Sequence, residues 1–369
     1  MGNLISSSSS DHAGKGYRNE RWRTWKKNSK VLSNKDKPNN KSSSSSGLQS
    51  HGGIKTIKPR NFCNDDELRT TTDDSSSSDD ICICVVTWNM NGKVCEEDLV
   101  EIVGNRNRNR RQFDLLVVGL QEVPRLNVSQ LLQATLLQSY MLLGEAIMQS
   151  LQLYVFGPKG SDSFTKELKV DKYAVRGCGG VIGRKKGAVA IRLNYKSTQM
   201  MFVSCHLSAH TKKVEERNWE CRHISHSLFS KIWNPYERPT QITVWLGDLN
   251  YRLQGIHSHS ARNLIHRDLH KVLRKKDQLL QEAERGHIFE GYCEGTLAFK
   301  PTYKYNVGTN NYDTSHKVRV PSWTDRILFK IEDMNHDMDA TLHSYESMDD
   351  IYGSDHKPVK AHLCLRRRS

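Results

Sequence analysis

Beyond residue 80 the chain is written in short apolar runs, and their lengths and β-branched content predict strands at 81–89, 115–120, 187–193, 200–206 and 242–247, buried on one or both faces. Between these runs the pattern turns helical. Residues 127–151 set Leu131, Leu132, Thr135, Leu136, Leu142 and Leu143 at helical spacings, and Glu215 to Trp233 interleaves charged with apolar positions. The first 80 residues show no such periodicity. Their Ser runs at 6–10, 42–46 and 75–78, many charges and few aromatics cannot bury enough surface to offset ordering entropy. A disordered tail over 1–80 and a single large domain over 81–366 are expected.

Where the runs stop matters more than that they exist. Val244-Trp-Leu-Gly-Asp-Leu-Asn-Tyr-Arg252 delivers Asp248 and Asn250 two residues apart, which in a strand puts both on one face. A carboxylate and a carboxamide side by side suit the steering of a water molecule, although in a turn they could equally cap backbone groups. Other apolar runs end the same way. Val85-Val-Thr-Trp-Asn89 ends in an amide, Leu115 to Glu122 in a carboxylate able to hold a hard cation, and Met201 to His206 in an imidazole with His210 four residues on. Asp325 sits in Pro321-Ser-Trp-Thr-Asp-Arg-Ile-Leu328, and Gly353-Ser-Asp-His356 supplies Asp355 and His356. Taken singly, each is explained by capping or core packing; repeated strand ends of this kind argue for one shared site.

Trp88-Asn89, Gln121-Glu122, His206-Leu-Ser-Ala-His210, Gly247-Asp-Leu-Asn-Tyr-Arg252, Pro321-Ser-Trp-Thr-Asp-Arg326 and Ser354-Asp-His356 together resemble, in this order, the motifs of the inositol polyphosphate 5-phosphatases. The resemblance spans roughly residues 81–365. It implies an α/β fold, a four-layer α/β sandwich with two mostly antiparallel sheets packed face to face (DNase I-like). It implies that Asp248 polarises a water that Asn250 orients, and that Glu122 binds Mg²⁺ with Asn89 beside it and Asp355 completing the metal environment. It gives His206 and His356 to the phosphoryl oxygens, with Asp325 fixing the tautomer of His356 and raising its basicity. No nucleophilic Ser or Cys is needed, so direct hydrolysis by water is expected. Lys300-Pro-Thr-Tyr-Lys-Tyr305 and His316-Lys-Val-Arg319 resemble the segment that recognises the neighbouring phosphate, which makes Tyr303, Lys304, Lys317 and Arg319 candidates for a 4-phosphate clamp. Arg184-Lys-Lys-Gly187 departs from the Gly-Asn-Lys-Gly turn of the family, and Thr324 and Asn306 stand where many members carry Cys and Asp.

The tail adds an address. Residues 12–60 hold 13 Lys or Arg against Glu20 and Asp36, whereas 61–80 hold Arg69 against seven Asp or Glu. Met1-Gly-Asn-Leu-Ile-Ser6 fits the acceptor pattern for N-myristoylation at Gly2, and a polybasic stretch would supply the second signal a single acyl chain needs. A net charge of +14 favours anionic partners. No apolar run reaches the ~20 residues needed to span a bilayer, so peripheral attachment to the cytosolic face of a membrane is expected. Nine scattered cysteines without a paired CxxC set suggest reduced thiols in the cytosol. The expected substrates are phosphoinositides, PtdIns(4,5)P₂ first, with PtdIns(3,4,5)P₃ and soluble inositol polyphosphates behind, acted on by a monomer with no nucleic-acid partner. An endonuclease or phosphodiesterase of the same superfamily, and an idle phosphoinositide-binding membrane adaptor, are the competing readings.

Overall fold

The structure, a computed structural model, describes residues 53–59 and 80–368, apart from short segments at 94, 105–112, 126, 161–167, 176–185, 233–237 and 333–337. In chain order its elements are β1 (Lys55–Ile57), β2 (Ile81–Asn89), α1 (Glu96–Val103), β3 (Leu115–Gln121), α2 (Val128–Leu136), β4 (Tyr140–Met148), β5 (Leu151–Pro158), β6 (Lys169–Ala174), β7 (Gly187–Tyr195), β8 (Thr198–His206), α3 (Val214–Ser227) and β9 (Ile242–Asp248). There follow α4 (Ser258–His266), α5 (His270–Arg274), α6 (Gln278–Glu284), β10 (Cys293–Gly295), β11 (Asp325–Ile331), β12 (Met338–Ser347) and β13 (Val359–Arg367).

The strands form two sheets, ordered β1-β10-β11-β9-β8-β7-β6 and β12-β13-β2-β3-β5-β4. Pairing is mostly antiparallel; β1 with β10, β2 with β3 and β8 with β9 run parallel. Side-chain alternation builds the layers. Ile242, Val244 and Leu246 of β9 face Val85, Val117 and Leu153 from the other sheet across the inner core, while Trp245 points outward to Cys221 and Ile224 of α3 and Leu279 of α6. On the opposite outer face Val86, Trp88 and Val118 pack under Leu99 and Ile102 of α1 and Leu132 of α2. Strands covered on both faces must be apolar throughout, which is why these runs do not alternate in sequence.

Four expectations are corrected. The helical pattern over 127–151 yields a helix only to Leu136, after which the chain makes the β4–β5 hairpin. Leu142 joins the outer core and its neighbour Leu143 the inner one, so the two lie on opposite faces, which a single helical stripe forbids. The helix begun near Glu215 ends at Ser227, because Leu228 turns to extended backbone before a short 3₁₀ turn at Ser230–Ile232. Residues 53–59 of the supposed tail are ordered: Lys55 N–H donates to Tyr292 O (2.9 Å), Thr296 N–H to Ile57 O (2.8 Å), and Ile54 packs on the outer core. Isolated, this segment is too short to fold; the bare edge of β10 gives it a partner. Finally, Cys82 and Cys364 form a disulfide, not free thiols. They stand directly opposite on β2 and β13 with Cα atoms 4.1 Å apart, a neighbourhood that 282 residues of separation hide from sequence spacing. Gly2 and the remainder of the tail lie outside the described residues.

Candidate active site

Strand register assembles the site. Pairing sets His206 at the end of β8 opposite Asp248 of β9, and Asp248 opposite Asp325 of β11. Gly247 makes this possible: its φ is +138°, and a Cβ there would lie 2.1 Å from the Cys205 carbonyl oxygen. From the other sheet, parallel β2 and β3 carry Asn89 and, one residue past Gln121, Glu122 to the same mouth. The two sheets meet at Asp248, whose Oδ2 accepts a hydrogen bond from Asn89 Nδ2 at 3.0 Å.

Asn250 is not on the strand. Its φ of 57° puts it in left-handed backbone past the end of β9, so the alternation argument does not hold. The backbone-capping contact is present, with Asp248 Oδ1 accepting the Asn250 backbone N–H (3.1 Å), and both side chains also line the cleft. Asn250 Nδ2 donates to Leu207 O (3.1 Å), and its Oδ1 accepts from the Arg252 guanidinium.

The two imidazoles are tuned apart. His356 donates from Nδ1 to Asp325 Oδ2 (2.9 Å), which Thr302 and Thr324 hydroxyls also address at 2.7 and 2.8 Å. Burial works against a charge on His356, but the charge and hydrogen bond of Asp325, with Asp248 and Asp355 nearby, overcome it and lift the group to about 9. It is an imidazolium at neutral pH. His206 goes the other way: burial and the adjacent Lys186 ammonium lower it to about 4 against the pull of Asp248, so it is neutral. Its Nε2 is in hydrogen-bonding contact with Lys186 Nζ and 3.3 Å from Asp248 Oδ2. Burial pushes Asp248 up, yet the His206 contact and the His356 and Lys186 charges outweigh it and hold the carboxyl well below the usual range. Asp248 is therefore a firmly ionised acceptor that orients a donor, and a weak proton base.

Asn89, Glu122, His206, Asp248, Asn250, Tyr303, Asp355 and His356 all line one cleft of about 110 Å³. Asp325 stands behind His356 and does not line it. Lys304 sits at the rim in an ion pair with Asp355 (2.9 Å). Lys317 and Arg319 do not line the cleft; their loop is held beside Lys304 by Asp313, whose N–H donates to Lys304 O (2.8 Å) and whose Oδ2 accepts Arg319 N–H (2.9 Å). His210 is exposed and likewise outside.

Two cations of the cleft carried no assigned role in the sequence. Arg252 stacks on Tyr303 with its guanidinium carbon 4.2 Å from the ring centroid, and that ring lies 4.4 Å from the His356 ring. Its place at the end of Gly247 to Arg252 was the available signal. Lys186 lies in the Arg184-Lys-Lys-Gly187 turn and precedes Gly187, which pairs with His206, so the β7–β8 register shows which imidazole it meets; Arg184 and Lys185 lie outside the described residues.

The donor set fits a hard divalent cation. Carboxylates of Glu122, Asp248 and Asp355 and the amide oxygens of Asn89 and Asn250 surround a cleft with no thiol in its lining. Asp325, Asp248 and His356 also place ligand atoms within 4.8 Å of one another, but Asp325 is already committed to two hydroxyls and an imidazolium.

Residues 86–362 match the model of the Endonuclease/Exonuclease/phosphatase family 2. The chain is 60% identical over 317 residues to the type IV inositol polyphosphate 5-phosphatase 11 of Arabidopsis thaliana, covering 86% of this chain and 89% of that protein. It is 32% identical over 309 residues to the human phosphatidylinositol 4,5-bisphosphate 5-phosphatase A, covering 77% of this chain and only 30% of that longer protein. Among solved structures, the inositol polyphosphate 5-phosphatase domain of synaptojanin, in complex with inositol (1,4)-bisphosphate and calcium, aligns with TM-score 0.65 and 28% identity over 78% of this chain and 86% of that one. A Cimex nitrophorin aligns with TM-score 0.63 at 21% identity over 78% of this chain and 99% of that one, which shows the shared fold alone.

Proposed function

Because the chain belongs to the endonuclease/exonuclease/phosphatase family and, within it, to the inositol polyphosphate 5-phosphatases, we propose that it hydrolyses the 5-phosphate of phosphoinositides, PtdIns(4,5)P₂ first, by direct attack of water. The observation that carries this reading is the convergence, at one mouth, of the Glu122, Asp248 and Asp355 carboxylates with His206, His356 and the cations Lys186 and Arg252. A phosphate dianion finds positive charge there, and a water finds an acceptor.

Glu122, with Asp355 and Asn89, would hold Mg²⁺, which when bound supplies positive charge to the phosphoryl oxygens. Asp248 accepts a hydrogen bond from the attacking water, and Asn89, whose Nδ2 donates to Oδ2, fixes that carboxylate. His356, locked by Asp325, presents its Nε2 edge to a phosphoryl oxygen and stabilises charge that grows as the P–O5 bond breaks. Asn250 and Arg252 form one hydrogen-bonded unit that positions the phosphate. The inositol hydroxyl and inorganic phosphate leave with the water's protons shared between them. Tyr303 and Lys304 form the near part of a 4-phosphate clamp, and Lys317 and Arg319 its outer part. Clamping by these cations predicts that Lys317→Ala with Arg319→Ala harms 4-phosphorylated substrates selectively; equal loss on substrates lacking that phosphate would sink the clamp. Myristoylation of Gly2 and the basic tail would hold the enzyme on the cytosolic face of a membrane, where its substrates lie.

The test is phosphate release, with and without Mg²⁺, from PtdIns(4,5)P₂ vesicles, PtdIns(4)P vesicles and soluble Ins(1,4,5)P₃, with plasmid nicking scored alongside. Mg²⁺-dependent release from PtdIns(4,5)P₂ and none from PtdIns(4)P is expected. Nicked DNA without release from any inositide would move the reading to the nuclease branch of the superfamily.

A further inference from the structure

At the end of β2 and β13 remote from the active site lies a second group of chemistry-bearing side chains. Cys82 pairs with Cys364 and, two residues along, Cys84 pairs with His362, so all four project from the same face of two adjacent antiparallel strands. The ligand atoms of Cys82, His362 and Cys364 lie within 4.8 Å of one another, and His362 Nε2 is 3.3 Å from Cys364 Sγ. Cys82, Cys84 and Cys364 are buried; His362 is half-buried, held edge-on by Phe113 at 4.8 Å and flanked by His343 at 4.7 Å. Asn89 lies seven steps along β2 from Cys82, or about 23 Å at ~3.3 Å per residue, so this cluster is not part of the cleft.

The geometry points to a zinc-class cation site made by Cys82, Cys364 and His362, with Cys84 at the fourth corner, which exists only when the Cys82–Cys364 bridge is open. Three sulfurs and one imidazole are the donors a soft-to-borderline tetrahedral cation takes, and no carboxylate competes among the four. Two thiolates neutralise a divalent cation, so no net charge is buried by the first three donors. The oxidised and cation-bound forms exclude each other. A dithiol reductant opens the bridge: its own sulfurs join, the Cys82–Cys364 S–S bond breaks, and each cysteine sulfur takes a proton. The cation then displaces those protons to the buffer.

Co²⁺ is the probe. The full chain, reduced with a dithiol and exchanged anaerobically into reductant-free buffer, should develop a thiolate-to-cobalt charge-transfer band that saturates at one equivalent and is bleached by Zn²⁺. The bridged protein should develop none, and oxygen donors of the cleft give no such band. Losing even an outer-shell partner costs a metal site about 10–100-fold in affinity, so His362→Ala, which keeps both thiols and the bridge, should weaken Co²⁺ at least that much. Cys84→Ser should weaken the band, because it removes one of three thiolates, and an unchanged band would take Cys84 out of the site. Circular dichroism checks that the variants fold. No band in the reduced chain, or an undiminished band in the Cys82→Ser/Cys364→Ser double variant, overturns the assignment.

Discussion

His356 and His206 share a cleft yet hold opposite charge states, and the difference is made by what stands behind each ring. Asp325 keeps His356 protonated up to about 9. An imidazole whose folded value is raised above its unfolded ~6.5 stabilises the fold fully below that value, and the gain fades as pH climbs through the folded value. Activity that depends on the imidazolium should follow the same limb: kcat/KM falls as pH passes about 9. Asp325→Asn should bring that limb down toward neutrality, which a pH–rate profile would show; an unmoved limb would remove His356 from the reaction. Asp248→Asn keeps the shape and loses the charge, and should cost about 10²–10⁴-fold in kcat with the melting temperature little changed. At this scale the sequence was legible where a motif closed a strand, as at Asn89, Glu122, His206 and Asp248, or led into one, as at His356 before β13. It gave no role to Lys186, whose partner is set by register, or to Thr302 and Thr324, whose hydroxyls both reach Asp325.

Elements were legible in proportion to how they are covered. β2, β3, β7, β8 and β9 carry apolar side chains on both faces because both faces are buried, and their short length and β-branched content mark them as strands. The hairpin of β4 and β5 was misread because its leucines satisfy a helical stripe and a strand equally well until the neighbours are known. One element, β11, is pinned by charge as well as by the apolar contacts of Ile327, Leu328 and Phe329. Arg326 of β11, fully buried, makes paired hydrogen bonds of 2.6 Å to Glu294 of β10 and one of 3.0 Å to Asp277, which in turn caps α6 by accepting Leu280 N–H at 3.1 Å. Asp325, next along β11, takes its position from this anchor. Arg326→Met leaves two buried carboxylates without their partner and should cost about 3–5 kcal/mol in urea denaturation. A loss under about 1 kcal/mol would show that the carboxylates had found water or protons instead.

At the scale of the whole molecule, the site belongs to neither sheet: Asn89 and Glu122 come from one, His206, Asp248 and Asp325 from the other, and the Asn89–Asp248 hydrogen bond ties the two at the mouth. The four layers and the order of motifs were legible through family resemblance. The boundary was not, because the three-residue β1 draws its order from a partner more than 200 residues away in the chain. That small strand acts as a chaperone of the sheet margin. It occupies the hydrogen-bonding groups of β10 and turns outward an edge bearing the exposed Lys55, which discourages pairing with other molecules. A chain begun at residue 81, where the motifs start, would retain the residues assigned to chemistry yet present β10 bare. Such a protein should turn over soluble substrate normally when dilute and self-associate as its concentration rises, a difference that light scattering against a chain begun at residue 51 would reveal.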